Sequence, residues 1–169
     1  LFNSSLPGPT IRVRPGERFT IRLRNDLPPA LHNTEPLHNL YRTFDQTNIH
    51  THGLHISGEL PGDDTTVHVN AGEQRTYIYD VPEYHMGGTF WYHPHHHGST
   101  ALQAGGGAHG MIIVEDPPGA LPAEIASLEE RHLVLSVMNM MHLTAEAQRY
   151  EANCRGETAR SSSQIALGD

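Results

Sequence analysis

Residues 10–27 read TIRVRPGERFTIRLRNDL, and the placing of their apolar side chains decides the architecture. Ile11 and Val13 alternate with Arg12 and Arg14. Beyond Pro15-Gly16, Phe19, Ile21 and Leu23 alternate with Arg18, Arg22 and Arg24. A period of two puts the two sets on opposite faces of an extended chain, so the stretch reads as two half-buried strands joined by a turn. The pattern recurs outward from it. NIHTHGLHI (48–56) places Ile49, Thr51, Leu54 and Ile56 as a strand would. TTVHVNAGEQRTYIYDV (65–81) reads as strand, Asn70-Ala71-Gly72 turn, strand. GTFWYHPH (88–95) and GMIIVED (110–116) add two more. No convincing amphipathic helix precedes residue 120. Short strands punctuated by Gly, Pro and Asn indicate an all-β antiparallel sandwich or barrel. Pro117, Pro118 and Pro122 mark a boundary, after which HLVLSVMNM (132–140) reads as one further strand. RGETARSSSQIALGD (155–169) is polar and carries no strong signal.

Composition narrows the function classes. The 169 residues suffice for one domain with a real core and the start of a second. No apolar run approaches the ~20 residues a membrane helix needs. The opening LFNSSLPGPT lacks the basic-then-apolar order of a secretory signal. A formal net charge of −8 argues against nucleic acid and anionic membranes as partners. Cys154 is the single cysteine, so no internal disulfide forms. Histidine is the outlier: fourteen are present, most of them between His32 and His109.

Two H-x-H pairs carry the chemistry. Residues i and i+2 of a strand share a face, so His50 and His52 point one way, and His93 and His95 another pair's way if Pro94 leaves the chain extended. Pairs on adjacent strands bring four imidazoles together. Neutral imidazole suits copper, zinc, iron or nickel, and four histidines without a carboxylate favour copper or zinc. Isolated surface or core histidines are the ordinary explanation of one such residue, but not of two pairs on two strands.

LPGPTIRVRPGE (6–17), IHTHGLH (49–55), GTFWYHPHHHGS (88–99) and GMIIVED (110–116) together resemble the N-terminal cupredoxin domain of multicopper oxidases, the superfamily of laccases, bilirubin oxidases and bacterial copper-resistance oxidases. The resemblance covers residues 1–117 and implies a cupredoxin-like Greek-key β-sandwich, with 118–169 a linker and possible start of a second cupredoxin domain. It implies that His50 is a ligand of the type 2 copper and that His52, His93 and His95 are ligands of the type 3 coppers. These would be half of the eight histidines around a trinuclear cluster that reduces O2 to water. The implied activity is oxidation of a phenolic, amine or metal-ion donor, in a periplasmic or extracellular enzyme. The implied partners are O2, the donor, and further cupredoxin domains or neighbouring subunits.

The family's remaining motifs, H-x-x-H-x-H and H-C-H, are missing from this sequence. Cys154 lies in EANCRGE with no adjacent histidine, so nothing here builds a type 1 copper site, and the cysteine reads as a small buried or unpaired thiol. The resemblance therefore implies part of a longer enzyme. Two alternatives are a non-catalytic copper carrier and a minimal oxidase whose cluster is completed between subunits. Copper nitrite reductase, also built of cupredoxin domains, ranks low because GTFWYHPHHHGSTALQAGGGAHG has no cysteine.

Neighbouring residues are assigned by the same reasoning. Asp63 and Asp64 are the candidate catalytic acids: a carboxylate in this loop, in the family, sits near the type 2 copper and assists proton delivery, with Asp64 slightly preferred. Both are also ordinary turn residues of PGDDTT (61–66). His96 and His97 read as outer or surface histidines, His55 as no cluster ligand, and His109 has no assigned role. MNMMH (138–142) resembles the methionine-rich segments of copper-tolerance oxidases, but core packing after Val134, Leu135 and Val137 is the stronger reading. Trp91 and Tyr92 read as packing against the sandwich and fixing their strand.

Overall fold

The computed structural model describes residues 1–33 and 41–156. Among these residues six strands run in chain order: β1 (Gly8–Val13), β2 (Arg18–Arg24), β3 (His50–His52), β4 (Gln74–Asp80), β5 (Gly88–His93) and β6 (Gly110–Val114). Helix α1 (Thr100–Gly105) lies between β5 and β6, and α2 (Ala123–Ala126) and α3 (Met140–Cys154) follow β6.

The turn at Pro15-Gly16 does not make a hairpin. It carries the chain from one sheet to the other, with Gly16 at φ +82° and its N–H donated to the Val81 carbonyl at 2.9 Å. β1 joins a four-stranded sheet of order β1-β6-β5-β3, parallel to β6, while β2 pairs antiparallel with β4. The alternation in 10–27 thus serves two sheets facing one core. Phe19 and Ile21 lie opposite Tyr79 and Tyr77, and Phe19 stacks on Tyr79 at 4.8 Å. Val13, Tyr77, Tyr79, Tyr92, Ile112 and Val114 are buried between the sheets. Each fully buried side chain of this size contributes about 1.5–3 kcal/mol of hydrophobic stabilisation. All five residues of β6 are buried, so GMIIV runs continuously apolar instead of alternating. Its Gly110 is required by Tyr92: a Cβ there would lie 2.3 Å from the phenol oxygen, which itself donates to the Pro9 carbonyl at 2.7 Å.

Five expectations need correction. The strand expected over 65–70 is reduced to an isolated bridge between Thr47 and Val69. The Asn48 side-chain amide takes the Thr65 and Val67 carbonyls at 3.1 and 3.0 Å, so a side chain replaces the strand partner. β3 stops after three residues because Gly53 turns at φ +94°, over the ring of Phe90. A short helix, α1, occurs before residue 120. The strand expected at 132–140 is absent: this segment has no ladder partner among the described residues, and α3 begins at Met140 with the Asn139 side chain accepting the His142 N–H at 3.0 Å. Core packing is likewise absent there. Leu135 is 90% and Val137 100% exposed, and Met138, Met140 and Met141 are exposed too. α3 instead docks through Tyr150, whose ring stacks on Phe44 at 3.7 Å and whose hydroxyl lies against the carbonyls of Leu31 and Arg42. The polar tail expectation, 157–169, lies outside the described residues.

Candidate metal centre

β3 and β5 are antiparallel neighbours, with His50 opposite His93, Thr51 opposite Tyr92 and His52 opposite Trp91. The pleat sends Thr51 and Tyr92 into the core and the three histidines with Trp91 to the other face. One ligand nitrogen each of His50, His52 and His93 lie within 4.8 Å of one another. Nδ1 of His52 is 3.1 Å from Nε2 of His93. Two nitrogens bound to one ion at about 2.0–2.1 Å stand no more than about 4.2 Å apart, so the His52–His93 spacing fits a shared metal. His95 follows Pro94 beyond the end of β5, with its ring 5.0 Å from that of His50 and 6.0 Å from that of His93. All four imidazoles of the two H-x-H pairs are therefore brought together, three tightly and the fourth beside them.

The rings are oriented from behind. The Asp63 carboxylate accepts the His50 Nδ1–H at 2.6 Å and the Thr51 backbone N–H at 2.8 Å, which turns His50 Nε2 toward the group. The Pro94 carbonyl accepts the His93 Nδ1–H at 2.9 Å, which leaves Nε2 as the lone pair that faces His52 Nδ1. A histidine that gives one N–H to a carboxylate or carbonyl is the usual arrangement of a metal ligand. Burial pushes the pKa of His93 down, aided by the neighbouring imidazoles and opposed by the Pro94 carbonyl. The ring is thereby kept in the neutral form that binds metal. The donor set, imidazoles with no carboxylate in the inner group, fits copper or zinc.

Asp63 and Asp64 have separated. Asp64 accepts the Thr66 N–H and hydroxyl at 2.9 and 2.6 Å, which holds its pKa below the usual range, and it makes no contact with the histidines. Asp63, not the preferred Asp64, meets the cluster. Trp91 also differs from expectation: it is 42% exposed and lies on the histidine face, stacked on His93 at 4.1 Å and His52 at 5.0 Å. Tyr92 is the residue that packs inside. Sequence reasoning missed Asn48, fully buried, whose Oδ1 accepts the His95 backbone N–H at 2.6 Å while its amide holds 65–67. It missed the buried His85 as well, which accepts the His55 N–H at 2.9 Å and donates Nδ1–H to the Met86 carbonyl at 2.8 Å. An Asn before an H-x-H pair and an isolated His carry no distinctive local signal. His109 reaches the Ser136 hydroxyl at 3.0 Å. The Cys154 thiol lies on α3 against the Leu31 carbonyl, 3.6 Å away.

Residues 36–119 match the sequence family described as multicopper oxidase. Multicopper oxidase mco of Staphylococcus aureus is 30% identical over 115 residues, which are 68% of this chain and 22% of that protein. The structure of the multicopper oxidase from Campylobacter jejuni, a metallo-oxidase, aligns with a TM-score of 0.51 at 28% identity, over 68% of this chain and 20% of that one. A multi-copper oxidase from Pediococcus acidilactici aligns with the same score at 26% identity, covering 21% of that chain. The chain thus spans about a fifth of the length of these relatives. The fold is the cupredoxin-like β-sandwich of such proteins, and through residues 36–119 the chain belongs to the multicopper oxidase family.

Proposed function

We propose that this chain supplies half of a trinuclear copper cluster to an enzyme that oxidises a phenolic, amine or metal-ion donor and reduces O2 to water. The observation that carries the reading is the convergence of His50, His52 and His93 nitrogens, with Asp63 and Pro94 fixing two of the rings from behind. In this reading His50 holds the type 2 copper, and His52, His93 and His95 serve the type 3 pair. Copper, when bound, supplies the redox chemistry. The chain's residues do the rest: they present imidazole nitrogens, shield one side of the group with the Trp91 ring, and hold a proton acceptor beside it. Reduction of O2 to water consumes four protons, and Asp63, hydrogen-bonded to His50 Nδ1, is the group placed to receive and pass them. Residues 1–117 form the copper-carrying unit, and 118–169 link it to further cupredoxin domains or subunits, which supply the other ligands and the type 1 copper. Membership of the family supports a periplasmic or extracellular location. No helix among the described residues is long and apolar enough to cross a membrane.

Copper per chain, with optical and EPR spectra of the same sample, tests this. The expected result is less than one copper per chain, weakly held, without a type 3 absorption band or oxidase activity. A full three-copper cluster with that band refutes the half-site and makes the subunits complete it among themselves.

A further inference from the structure

A second pair of imidazoles stands apart from the cluster. His68, just before the Thr47–Val69 bridge, and His96, just after His95, have ring centroids 5.1 Å apart. That lies within the 5.0–6.0 Å range of the contacts among His50, His52, His93 and His95. Spacing alone is not a site. His55 and His85 are also close, at 5.2 Å, but both nitrogens of His85 are used by backbone groups.

His96 differs because its tautomer is fixed with one nitrogen spare. The Glu73 carboxylate only accepts, so the Asn70 amide donates to it at 3.0 Å and Asn70 Oδ1 is left as an acceptor. Gln46 Nε2 donates to that oxygen at 2.8 Å, which leaves Gln46 Oε1 facing His96 Nε2 at 3.1 Å. An amide oxygen accepts, so His96 Nε2 carries the hydrogen and Nδ1 of the neutral ring is a lone pair. This repeats the support found behind His50 and His93: one N–H anchored on an oxygen, the other nitrogen presented. The backbone of His96 is pinned too, its carbonyl accepting the Thr100 hydroxyl at 2.8 Å. His68 is exposed, so the remaining coordination positions open to solvent.

We propose that His68 and His96 form an accessory site for one divalent transition ion of the copper, nickel or zinc class, with Gln46, Asn70 and Glu73 as the relay that orients His96. The site is separate from the cluster and does not depend on the function assigned to it. Zinc alone is the probe, added to the full chain while the histidine ring resonances are followed by NMR. The His68 and His96 rings are expected to move along one shared binding curve. In His68→Ala the midpoint of the His96 curve rises at least tenfold, and in Gln46→Leu about 10–100-fold, while the His50, His52 and His93 resonances keep their own curve and report an intact fold. No zinc-linked movement of His96, different midpoints for His68 and His96, or an unchanged His96 midpoint in His68→Ala overturns the site. An unchanged midpoint in Gln46→Leu overturns the relay.

Discussion

Asp63 and Asp64 are adjacent, chemically identical, and held by opposite sides of one turn. Asp63 sits 2.6 Å from His50 Nδ1, whereas Asp64 caps Thr66. Asp63→Asn removes the charge that holds the Nδ1–H and should weaken copper binding about 10–100-fold in a competition titration. Asp64→Asn should leave it nearly unchanged, and equal losses in the two variants would refute the assignment. Sequence reading could find the loop but not choose between the two acids, because one residue of register inside an irregular turn reverses which side chain faces inward. Trp91 was legible from alternation: it stands two residues before His93 and so shares its face, with Tyr92 on the other, and the pairing of β5 with β3 places Trp91 and His93 on the side of His50 and His52. Trp91 is the chain's single tryptophan, stacked on two candidate ligands. Added Cu(II) should therefore quench its fluorescence, since a paramagnetic ion beside the indole opens a non-radiative path. The quenching should vanish in His52→Ala/His93→Ala, and its survival there would place the copper elsewhere.

At the scale of elements, regular strands were legible and their substitutes were not. β1, β2, β4, β5 and β6 announce themselves through alternation or a continuous apolar run. The stretch 65–70 has the same alternation but is tied down by one side chain: Asn48 holds the Thr65 and Val67 carbonyls and the His95 N–H. No periodicity reveals such a tie. Likewise Leu133, Leu135 and Val137 alternate as a strand would, but alternation needs a neighbouring strand to act on, and the segment is unpaired. Asn48→Ala strands three backbone groups in or near the interior, at about 1–3 kcal/mol for each left unsatisfied. We expect a loss of about 3 kcal/mol, read as a lower urea midpoint at unchanged slope, together with weaker copper binding because His95 loses its anchor. A variant that keeps its stability would show that β3 and the 65–67 loop do not depend on this side chain.

For the molecule as a whole, the core rests in part on phenols. Tyr77, Tyr79 and Tyr92 are all buried between the sheets. Burial pushes the Tyr92 phenol up to about 12 and raises Tyr77 and Tyr79 as well. In the unfolded chain these groups titrate near 10. Above that pH the unfolded state has lost protons that the folded state still holds, so stability falls as pH rises. Below about pH 10 both states are protonated and the contribution is complete. The decline therefore begins near the free-phenol pKa and continues up to the raised folded values. Urea midpoints measured from pH 8 to 11.5 should stay level to about pH 10 and then drop steeply, with the buried phenols of Tyr77, Tyr79 and Tyr92 ionising only as the protein unfolds. Tyr92→Phe should flatten part of that drop, although it also gives up the hydrogen bond to Pro9. Ionisation of Tyr77, Tyr79 or Tyr92, followed through their own ring resonances while the protein is still folded, would mean that water reaches these rings, and that the two sheets do not close over the core as described.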